Sequence, residues 1–188
     1  ESGSFILDEK VTGAQVGTLL HLVLERIDLN GNLKLDGIIN KIKDMVSRKL
    51  LTEEEAKIIT NSYAYRIEKF FQSSIGNRIV NSSNVYRETP FVLRKNASEV
   101  LCTLNKEDLI LVQGIIDCYF IEDGQAVIVD YKTDNIDETK EISSQVNYLK
   151  KEYQDQIALY KEAVEKIAGL KVKGSYLYLF SIGKEVEI

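Results

Sequence analysis

The chain has 188 residues, and 29 Asp and Glu against 24 Lys and Arg give a net charge of −5. This length is typical of one domain, and 44% apolar with 28% charged residues is close to the globular average. The composition excludes a disordered or collagen-like chain, and the apolar runs are too short for a membrane helix of about 20 residues. The negative charge argues against tight nucleic-acid binding by this chain alone, but not against an active site to which DNA is delivered.

The start of the sequence bears on whether the chain is part of a longer protein, and its cysteines bear on the redox setting. It begins at Glu1 without an initiator Met or a secretory leader, and we therefore expect a piece of a longer protein. Cys102 and Cys118 fall in strand-like sequence, where a free cysteine behaves as a small buried hydrophobe. Two cysteines cannot supply a four-cysteine iron–sulfur cluster, so we expect none. This cysteine use is typical of a reducing, cytoplasmic setting.

The first third of the sequence predicts helices. A capping box at Thr12 and Gln15, followed by apolar residues at helical spacing, predicts a helix over residues 13–27. The same periodicity predicts a second helix over residues 35–50. A third is predicted over residues 52–74, because its first turn is rich in acids, which the helix dipole favours there.

After a polar turn at residues 81–84 the pattern changes to strands. Four segments rich in β-branched and aromatic residues predict strands over residues 85–93, 100–104, 109–121 and 125–132.

A long amphipathic helix is predicted over residues 141–168, with Gly169 as its C-terminal cap. A last strand is predicted over residues 173–182, with Tyr176, Tyr178 and Phe180 on one face. This order predicts one α/β domain over residues 1–188, in which helices flank a mixed central sheet and form the N-terminal third.

A predicted hairpin at Asp123-Gly124 carries the most informative chemistry. Asp-Gly between two apolar runs is a strong signal for a two-residue turn, and the register of that turn places Asp117 opposite Asp130. Opposed carboxylates repel each other, and in a poorly hydrated place the pKa of one is raised unless a cation lies between them. Oxygen ligands of this kind suit Mg²⁺ or Mn²⁺. The hairpin therefore predicts a site for a divalent cation.

The same register predicts what surrounds the two acids. Lys132 points to the side of Asp130, where its ammonium could hold an attacking water or offset transition-state charge in metal-assisted hydrolysis. Ile115 faces Lys132, while Ile116 and Cys118 lie together on the opposite face, because side chains alternate along a strand. An Asp opposite Asp-x-Lys is also found as a salt bridge at a strand end, so the hairpin alone leaves a structural role open.

Other residues stand out singly. His21 is the only histidine, and Gly17 on the same flank of its helix permits close approach of another backbone. The imidazole could reach a cleft, although a hydrogen-bonded histidine at a core margin fits the pattern too. Glu88 is an acid beside an otherwise apolar strand, where charged edge residues are common. One side of the long helix carries a polar residue inside an aromatic stripe, which is otherwise typical of core packing: Tyr153, Gln156 and Tyr160.

Five motifs occur in order along the chain. They are Gly17-x-x-x-His21, Glu88-Thr89-Pro90-Phe91, Gly114-Ile115-Ile116-Asp117, Asp130-Tyr131-Lys132-Thr133-Asp134 and Gln156-x-x-x-Tyr160. Each is weak alone, but together they span most of the chain and resemble the RecB-family nuclease domain, most closely its AddA branch. The resemblance implies a restriction-endonuclease-like core of the PD-(D/E)xK type.

The resemblance also implies residue roles. Asp117, Asp130 and His21 would ligate Mg²⁺, with Mn²⁺ as a possible substitute, and His21 would belong to the catalytic set. Lys132 would be the catalytic lysine, and Glu88 a further catalytic residue that supports the site. The residues implied to shape the site or touch DNA are Gly17, Tyr153, Gln156 and Tyr160.

Partners follow from the same resemblance. The intact protein would carry an ATP-driven helicase upstream and would work with an AddB-type partner in the repair of double-strand breaks. Its substrate would be single-stranded DNA from unwound duplex, cut by exonuclease or endonuclease action. No G-x-x-x-x-G-K-[ST] loop occurs here, so we expect no ATP site in these residues. Because the apolar runs are short, we also expect no membrane partner. Two other functions stay open, namely a degenerate nuclease fold that docks or guides DNA, and a restriction or phage nuclease.

Overall fold

The N-terminal third is helical in the computed structural model, which describes residues 12–97 and 109–188. Its helices are α1 (Gly13–Arg26), α2 (Leu35–Ser47), α3 (Glu53–Gln72) and α4 (Ser74–Asn81). The predicted capping box starts α1, since Thr12 Oγ1 accepts from Gln15 N and Thr12 N donates to Gln15 Oε1 at 2.7 Å. The helical first third is therefore confirmed. Within the described ranges, no helix combines the length and apolar character of a membrane span.

The third predicted helix, over residues 52–74, is wrong in one respect, because the chain forms two helices there. Ser73, between α3 and α4, is extended, with φ −70° and ψ 167°. Its Oγ donates to Phe70 O at 2.7 Å and accepts from Gly76 N at 3.1 Å. One side chain thus ends α3 and caps α4. Apolar periodicity continues through both helices and did not reveal the break.

The described strands form one mixed sheet in the order β1-β2-β3-β4-β5. The strands are β1 (Val85–Asn96), β2 (Leu109–Glu122), β3 (Gln125–Lys132), β4 (Val172–Leu179) and β5 (Lys184–Glu187). Neighbours are antiparallel except β3 and β4, which are parallel. The crossover between those two contains helix α5 (Ile142–Ala163). A π-helical turn, Val164–Ala168, extends α5 to Gly169, whose φ of 67° fits the predicted cap.

The predicted mixed α/β fold is confirmed, with local differences in the strands. The predicted strand over residues 173–182 corresponds to β4 and the turn after it, and β5 was not predicted. The predicted strand over residues 100–104 lies outside the described residues.

The sheet separates two hydrophobic cores. Helices α1 to α4 cover one face, and this first core contains Tyr178 and Phe180, with Tyr176 packed against it, as predicted. Helix α5 covers the other face, and this second core contains Ile128 and Leu177. Strand β3 is consequently buried on both faces, as expected for a central strand covered by two layers.

Cys118 lies in the first core with no exposed surface. Burial raises the pKa of its thiol to about 12, so the side chain behaves as the small buried hydrophobe that the sequence predicted. Cys102 lies outside the described residues.

Part-way along β1 and β2, the alternation of side chains between the two faces of the sheet is interrupted, so that residues an even number of positions apart point into different cores. On β2, Cys118 and Phe120 lie in the first core, whereas Ile116 lies in the second. On β1, Val85 packs against the first core and Phe91 lies in the second. Strict alternation would keep Ile116 with Cys118, and that prediction is wrong.

The change of face occurs at Glu88 on β1 and at Asp117 on β2. These residues lie between the paired positions Arg87↔Cys118 and Thr89↔Ile116. Glu88 has a φ of 47°, in the left-handed region that residues other than glycine rarely adopt. This backbone rotation reverses the direction of the side chains that follow it.

The hairpin of β2 and β3 has the predicted register, with Cys118 paired to Val129 and Glu122 to Gln125. At its turn Asp123 and Gly124 both have positive φ, 53° and 74°. Two successive left-handed residues are the geometry of a type I′ turn, which explains the register.

Beyond Cys118 the two strands separate, β2 staying with β1 while β3 continues along β4. Ile115 therefore pairs with Pro90 on β1 and not with Lys132 as predicted, and its side chain is 50% exposed. We call the point where β2 leaves β3 the fork. It opens beside Asp117 and Asp130.

Candidate functional site

Asp117 lies at the fork and is 7% exposed. Its Oδ2 accepts a 2.8 Å hydrogen bond from the backbone N–H of Tyr131 on β3. In a continued ladder, that N–H would donate to a backbone carbonyl of β2, so the carboxylate takes the place of the missing partner. This bond fixes one oxygen of Asp117 and leaves Oδ1 for other ligands.

His21 brings its imidazole from α1 to the same place. Its Nε2 lies 3.3 Å from Tyr131 O, while its Nδ1 lies 3.2 Å from Glu88 Oε1 and 3.6 Å from Asp117 Oδ1. A carbonyl oxygen only accepts, so Nε2 carries a hydrogen and Nδ1 faces the two carboxylates. Histidines that bind metals typically donate their other ring N–H to such a carbonyl or carboxylate.

Gly17 lies one helical turn before His21. A Cβ at Gly17 would lie 3.3 Å from Thr133 Oγ1. The predicted close approach thus involves a side chain, and the prediction of a second backbone at this position is wrong. The absence of a Cβ lets α1, with His21, approach the end of β3.

His21, Glu88 and Asp117 form a group with the chemistry of a metal site. Each offers one ligand atom, and these atoms lie within 4.8 Å of one another. One imidazole nitrogen and two carboxylate oxygens are a common donor set for divalent cations. The ligand set expected from the sequence contained Asp130 in place of Glu88. Glu88 reaches the group through its left-handed backbone, which no sequence pattern indicated.

Asp130 lies on the other side of the fork and has no exposed surface. Its Oδ2 lies 2.8 Å from Lys132 Nζ, and its two oxygens are otherwise without hydrogen-bond partners among the described residues. A buried carboxylate with so few donors is costly unless a cation compensates it.

Burial and mutual repulsion set the charges of these groups. Burial, together with the charge of Asp130, raises the pKa of Asp117 to about 7. Burial likewise raises the pKa of Asp130, in spite of its contact with Lys132. Burial alone would lower the pKa of His21, but the hydrogen bond to Glu88 and the charge of Asp117 outweigh it, so that pKa is raised. The raised pKa values of the two carboxyls reflect the cost of placing negative charge in this buried place, and a bound cation would offset that cost.

Three contacts hold the ammonium group of Lys132. Besides its contact with Asp130, Nζ donates to Gln156 Oε1 at 2.9 Å. It also lies 3.7 Å from the centroid of the Tyr153 ring, close enough for a cation–π interaction. The lysine is only 12% exposed, so these contacts determine where its charge lies.

The contacts around Lys132 extend to two further side chains. Gln156 Nε2 donates to Tyr160 OH at 2.7 Å. Tyr153 OH donates to Asp134 Oδ1 at 3.0 Å, and burial with the charge of Asp134 raises the pKa of Tyr153, so the hydroxyl keeps its proton. Asp134 was not among the predicted site residues. Its place at the end of the Asp130–Asp134 motif was the signal that could have identified it.

The two sides of the fork come from the two layers of the fold. His21 reaches it from α1 in the first core, whereas Lys132 and Gln156 meet on the α5 side. The structure thus brings the residues singled out from the sequence together around the fork, with Gly17 and Tyr160 at its margins.

The comparisons with known proteins concern nearly the whole chain. The family model of the PD-(D/E)XK nuclease superfamily matches residues 4–187. An ATP-dependent helicase/nuclease subunit from Thermoanaerobacter sp. (strain X514) is 44% identical over 180 residues, which are 94% of this chain and 14% of that protein.

Two further relatives have the same name. The one from Alkaliphilus oremlandii (strain OhILAs) is 40% identical over 179 residues, with 94% of this chain and 14% of the relative covered. The one from Clostridium botulinum (strain Loch Maree / Type A3) is 37% identical over 185 residues, with 96% and 14% covered. The chain thus spans about one seventh of the length of these relatives.

Proposed function

Because the chain belongs to the PD-(D/E)XK nuclease superfamily, we propose that it is a Mg²⁺-dependent deoxyribonuclease that hydrolyses phosphodiester bonds of single-stranded DNA. The observation that carries the proposal is the fork itself. It brings two buried carboxylates, Asp117 and Asp130, between an imidazole on one side and the ammonium of Lys132 on the other.

The residues at the fork fit a hard divalent cation. His21 Nδ1, Glu88 Oε1 and Asp117 Oδ1 would hold it, and their convergence within 4.8 Å supports this assignment. Asp130 would be a further ligand, since its Oδ1 has no hydrogen-bond donor among the described residues. A bound Mg²⁺ or Mn²⁺ supplies a Lewis acid for the phosphate and lowers the pKa of a ligated water.

Lys132 has the geometry of a group that acts on the reacting phosphate. Its ammonium is compact, positively charged and desolvated, and it lies next to Asp130. It would orient the attacking water or offset the negative charge that develops on the phosphate oxygens. Gln156 and Tyr153 position this ammonium, and a group held in place before reaction lowers the barrier more than a mobile one.

We place this activity in a larger enzyme. Residues 1–188 would form a single nuclease domain of a helicase–nuclease polypeptide, with the helicase upstream and an AddB-type partner, acting in the cytoplasm on double-strand breaks. The relatives named as helicase/nuclease subunits, and the seventh of their length that this chain spans, support this setting. The net charge of −5 fits a domain that receives its strand from a tethered motor, because tethering raises the effective substrate concentration.

A catalytically degenerate nuclease fold that docks or guides DNA is the alternative. The arrangement of Asp117, Asp130 and Lys132 argues against this alternative. Two buried carboxylates destabilise the metal-free fold, and a module that only docks DNA gains nothing from keeping Asp117, Asp130 and Lys132 in contact. The names of the relatives also disfavour a restriction or phage nuclease.

The test is cleavage of a labelled single-stranded oligonucleotide by this chain and by the full-length protein, with Mg²⁺, Mn²⁺ or EDTA. We expect metal-dependent cleavage that Asp130→Ala abolishes while the circular-dichroism melting curve still shows a folded protein. Asp155→Ala, at an exposed position of α5 next to Gln156 in the sequence, is the matched control and should cut normally. Cleavage that survives Asp130→Ala would overturn the assignment. A folded wild type that binds DNA without cutting it would favour the docking module.

A further inference from the structure

A cavity of about 410 Å³, lined in part by Asp134, lies between the segment that follows β3 and the first turns of α5. We call it the α5 pocket. Two buried apolar residues, Ile136 and Leu149, form its floor. Asn135 and Tyr148 line it near the surface, and Asp134 and Glu152 provide its acidic wall.

Tyr148 gives the α5 pocket an available aromatic face. The side chain is 65% exposed, one of the most exposed large apolar groups in the described part of the chain. A half-open pocket with an apolar floor and an exposed aromatic ring provides a stacking surface for a flat, partly apolar group.

The pocket is connected to the catalytic lysine through one side chain. Asp134, on the pocket wall, accepts the 3.0 Å hydrogen bond of Tyr153 OH, and the Tyr153 ring lies 3.7 Å from Lys132 Nζ. A nucleotide whose phosphate reaches Lys132 therefore has the α5 pocket as the adjoining surface for a base.

The charges of the lining residues indicate which part of a nucleotide the α5 pocket would bind, the nucleobase or the phosphate. Asp134 and Glu152 are acidic, and the lining that the described residues form contains no Lys or Arg. This potential repels phosphate, whereas the amide of Asn135 and the two carboxylates can bind the amino and imino groups of a neutral base. The apolar floor, the exposed ring of Tyr148 and the acidic lining together indicate a nucleobase.

We propose that the α5 pocket binds one nucleobase of the single-stranded substrate, stacked on Tyr148, next to the phosphate that Lys132 contacts. This assignment rests on the proposed function, because it takes DNA as the substrate. It makes Tyr148 a binding residue that holds the strand in register with the fork.

The experiment measures binding and cleavage separately. Binding of oligonucleotides that carry the fluorescent base 2-aminopurine is followed in Ca²⁺ without Mg²⁺, with wild type, Tyr148→Ala and Tyr148→Phe. We expect Tyr148→Ala to weaken binding by about 5- to 100-fold and to abolish the fluorescence quenching of one base, while Tyr148→Phe retains both. Tyr65→Ala is the control, since Tyr65 is also exposed, 57%, but lies on α3.

Cleavage of oligonucleotides with one abasic site at successive positions then locates the pocket. Wild type should show an increased KM at one abasic position near the cut, and Tyr148→Ala should show the same KM with and without that abasic site. Wild-type affinity and quenching in Tyr148→Ala would overturn the proposal, as would an unchanged abasic effect in that variant. Stacking in Ca²⁺ by a chain that never cuts DNA would contradict only the proposed function.

Discussion

Glu88 and Asp117 occupy facing positions on β1 and β2, at the point where both strands turn their side chains to the other face of the sheet. The left-handed φ of Glu88, 47°, costs on the order of 1 to 3 kcal/mol for a residue with a side chain. The surrounding sheet maintains this strain. In return, both carboxylates approach the same nitrogen of His21, Glu88 at 3.2 Å and Asp117 at 3.6 Å.

The strain at Glu88 predicts an inverted order of two small substitutions. In a regular strand Ala is more favourable than Gly, but at positive φ a Cβ is unfavourable. Glu88→Gly should therefore be more stable than Glu88→Ala by about 1 kcal/mol in urea unfolding with EDTA present. The same two substitutions at the neighbouring Thr89 are the control and should show the usual order. Equal or reversed stabilities at position 88 would contradict a strained backbone.

Glu88 should also behave as a metal ligand. Calorimetric titration of Mn²⁺ into Glu88→Gln or His21→Ala is expected to show an affinity lower by about 10- to 100-fold than in the wild type, because each variant loses one donor of the group. Lys132→Ala, which removes a nearby positive charge, should bind Mn²⁺ at least as tightly as the wild type. A Glu88→Gln variant with unchanged affinity for Mn²⁺ would show that Glu88 is not a ligand and would favour the set predicted from the sequence, His21, Asp117 and Asp130.

Asp117 predicts how the stability of the metal-free protein varies with pH. Its folded-state pKa of about 7 lies above the ordinary value of 3.8, so the folded state holds this proton more tightly than the unfolded chain. The resulting stability is fully present below about pH 4 and is lost as the pH rises through 7. Asp117→Asn, which keeps an oxygen for the Tyr131 N–H, avoids that loss.

In EDTA at pH 8, Asp117→Asn should therefore unfold with a free energy about 1 to 3 kcal/mol higher than that of the wild type. The difference should shrink below pH 4, where the wild-type carboxyl is protonated in both states. Asp155→Asn, at an exposed position, should show no such difference at either pH. An Asp117→Asn variant less stable than the wild type at pH 8 would contradict a raised pKa of Asp117 in the folded state.

Sequence rules for turns and helix caps correctly predicted the features of this fold that depend on a few neighbouring residues. The Asp123-Gly124 turn determines the hairpin register, and the capping box at Thr12 determines where α1 begins. Ser73 shows where such rules end, because a serine inside an apolar pattern breaks the helix only when its side chain caps the next one.

The site depends on non-local geometry as well. Period-two alternation placed Ile116 on the face of Cys118 and failed, since it assumes an unbroken extended backbone. The left-handed conformation of Glu88 is a consequence of its contacts with α1 and β2, and a Glu in the sequence carries no sign of it. The separation of β2 from β3 likewise depends on β4 pairing with β3, which is distant in sequence.

Tyr153 should act on catalysis through the position of Lys132. Its ring provides the cation–π contact at 3.7 Å, and its hydroxyl bonds Asp134. Tyr153→Phe keeps the ring and should lower kcat by less than about 3-fold, whereas Tyr153→Leu should lower it by about 10-fold or more with little change in KM. Rescue by Phe distinguishes positioning of the ammonium from a role of the hydroxyl. A loss of the same size in both variants would assign the effect to the bond with Asp134.

Gly17 predicts a loss of activity without a comparable change in stability. Within a helix Ala is favoured over Gly by about 1 kcal/mol, but a Cβ at position 17 would lie 3.3 Å from Thr133 Oγ1. Gly17→Ala should therefore change the unfolding free energy by less than about 1 kcal/mol, yet lower nuclease activity, because relief of the contact moves α1 and His21 away from the fork. Thr133→Ala removes the atom in contact. In combination with Gly17→Ala it should restore activity relative to Gly17→Ala alone and give a non-additive gain in stability, measured as a double-mutant cycle. Additive effects on both quantities would show that Gly17 does not control the approach of α1 to β3.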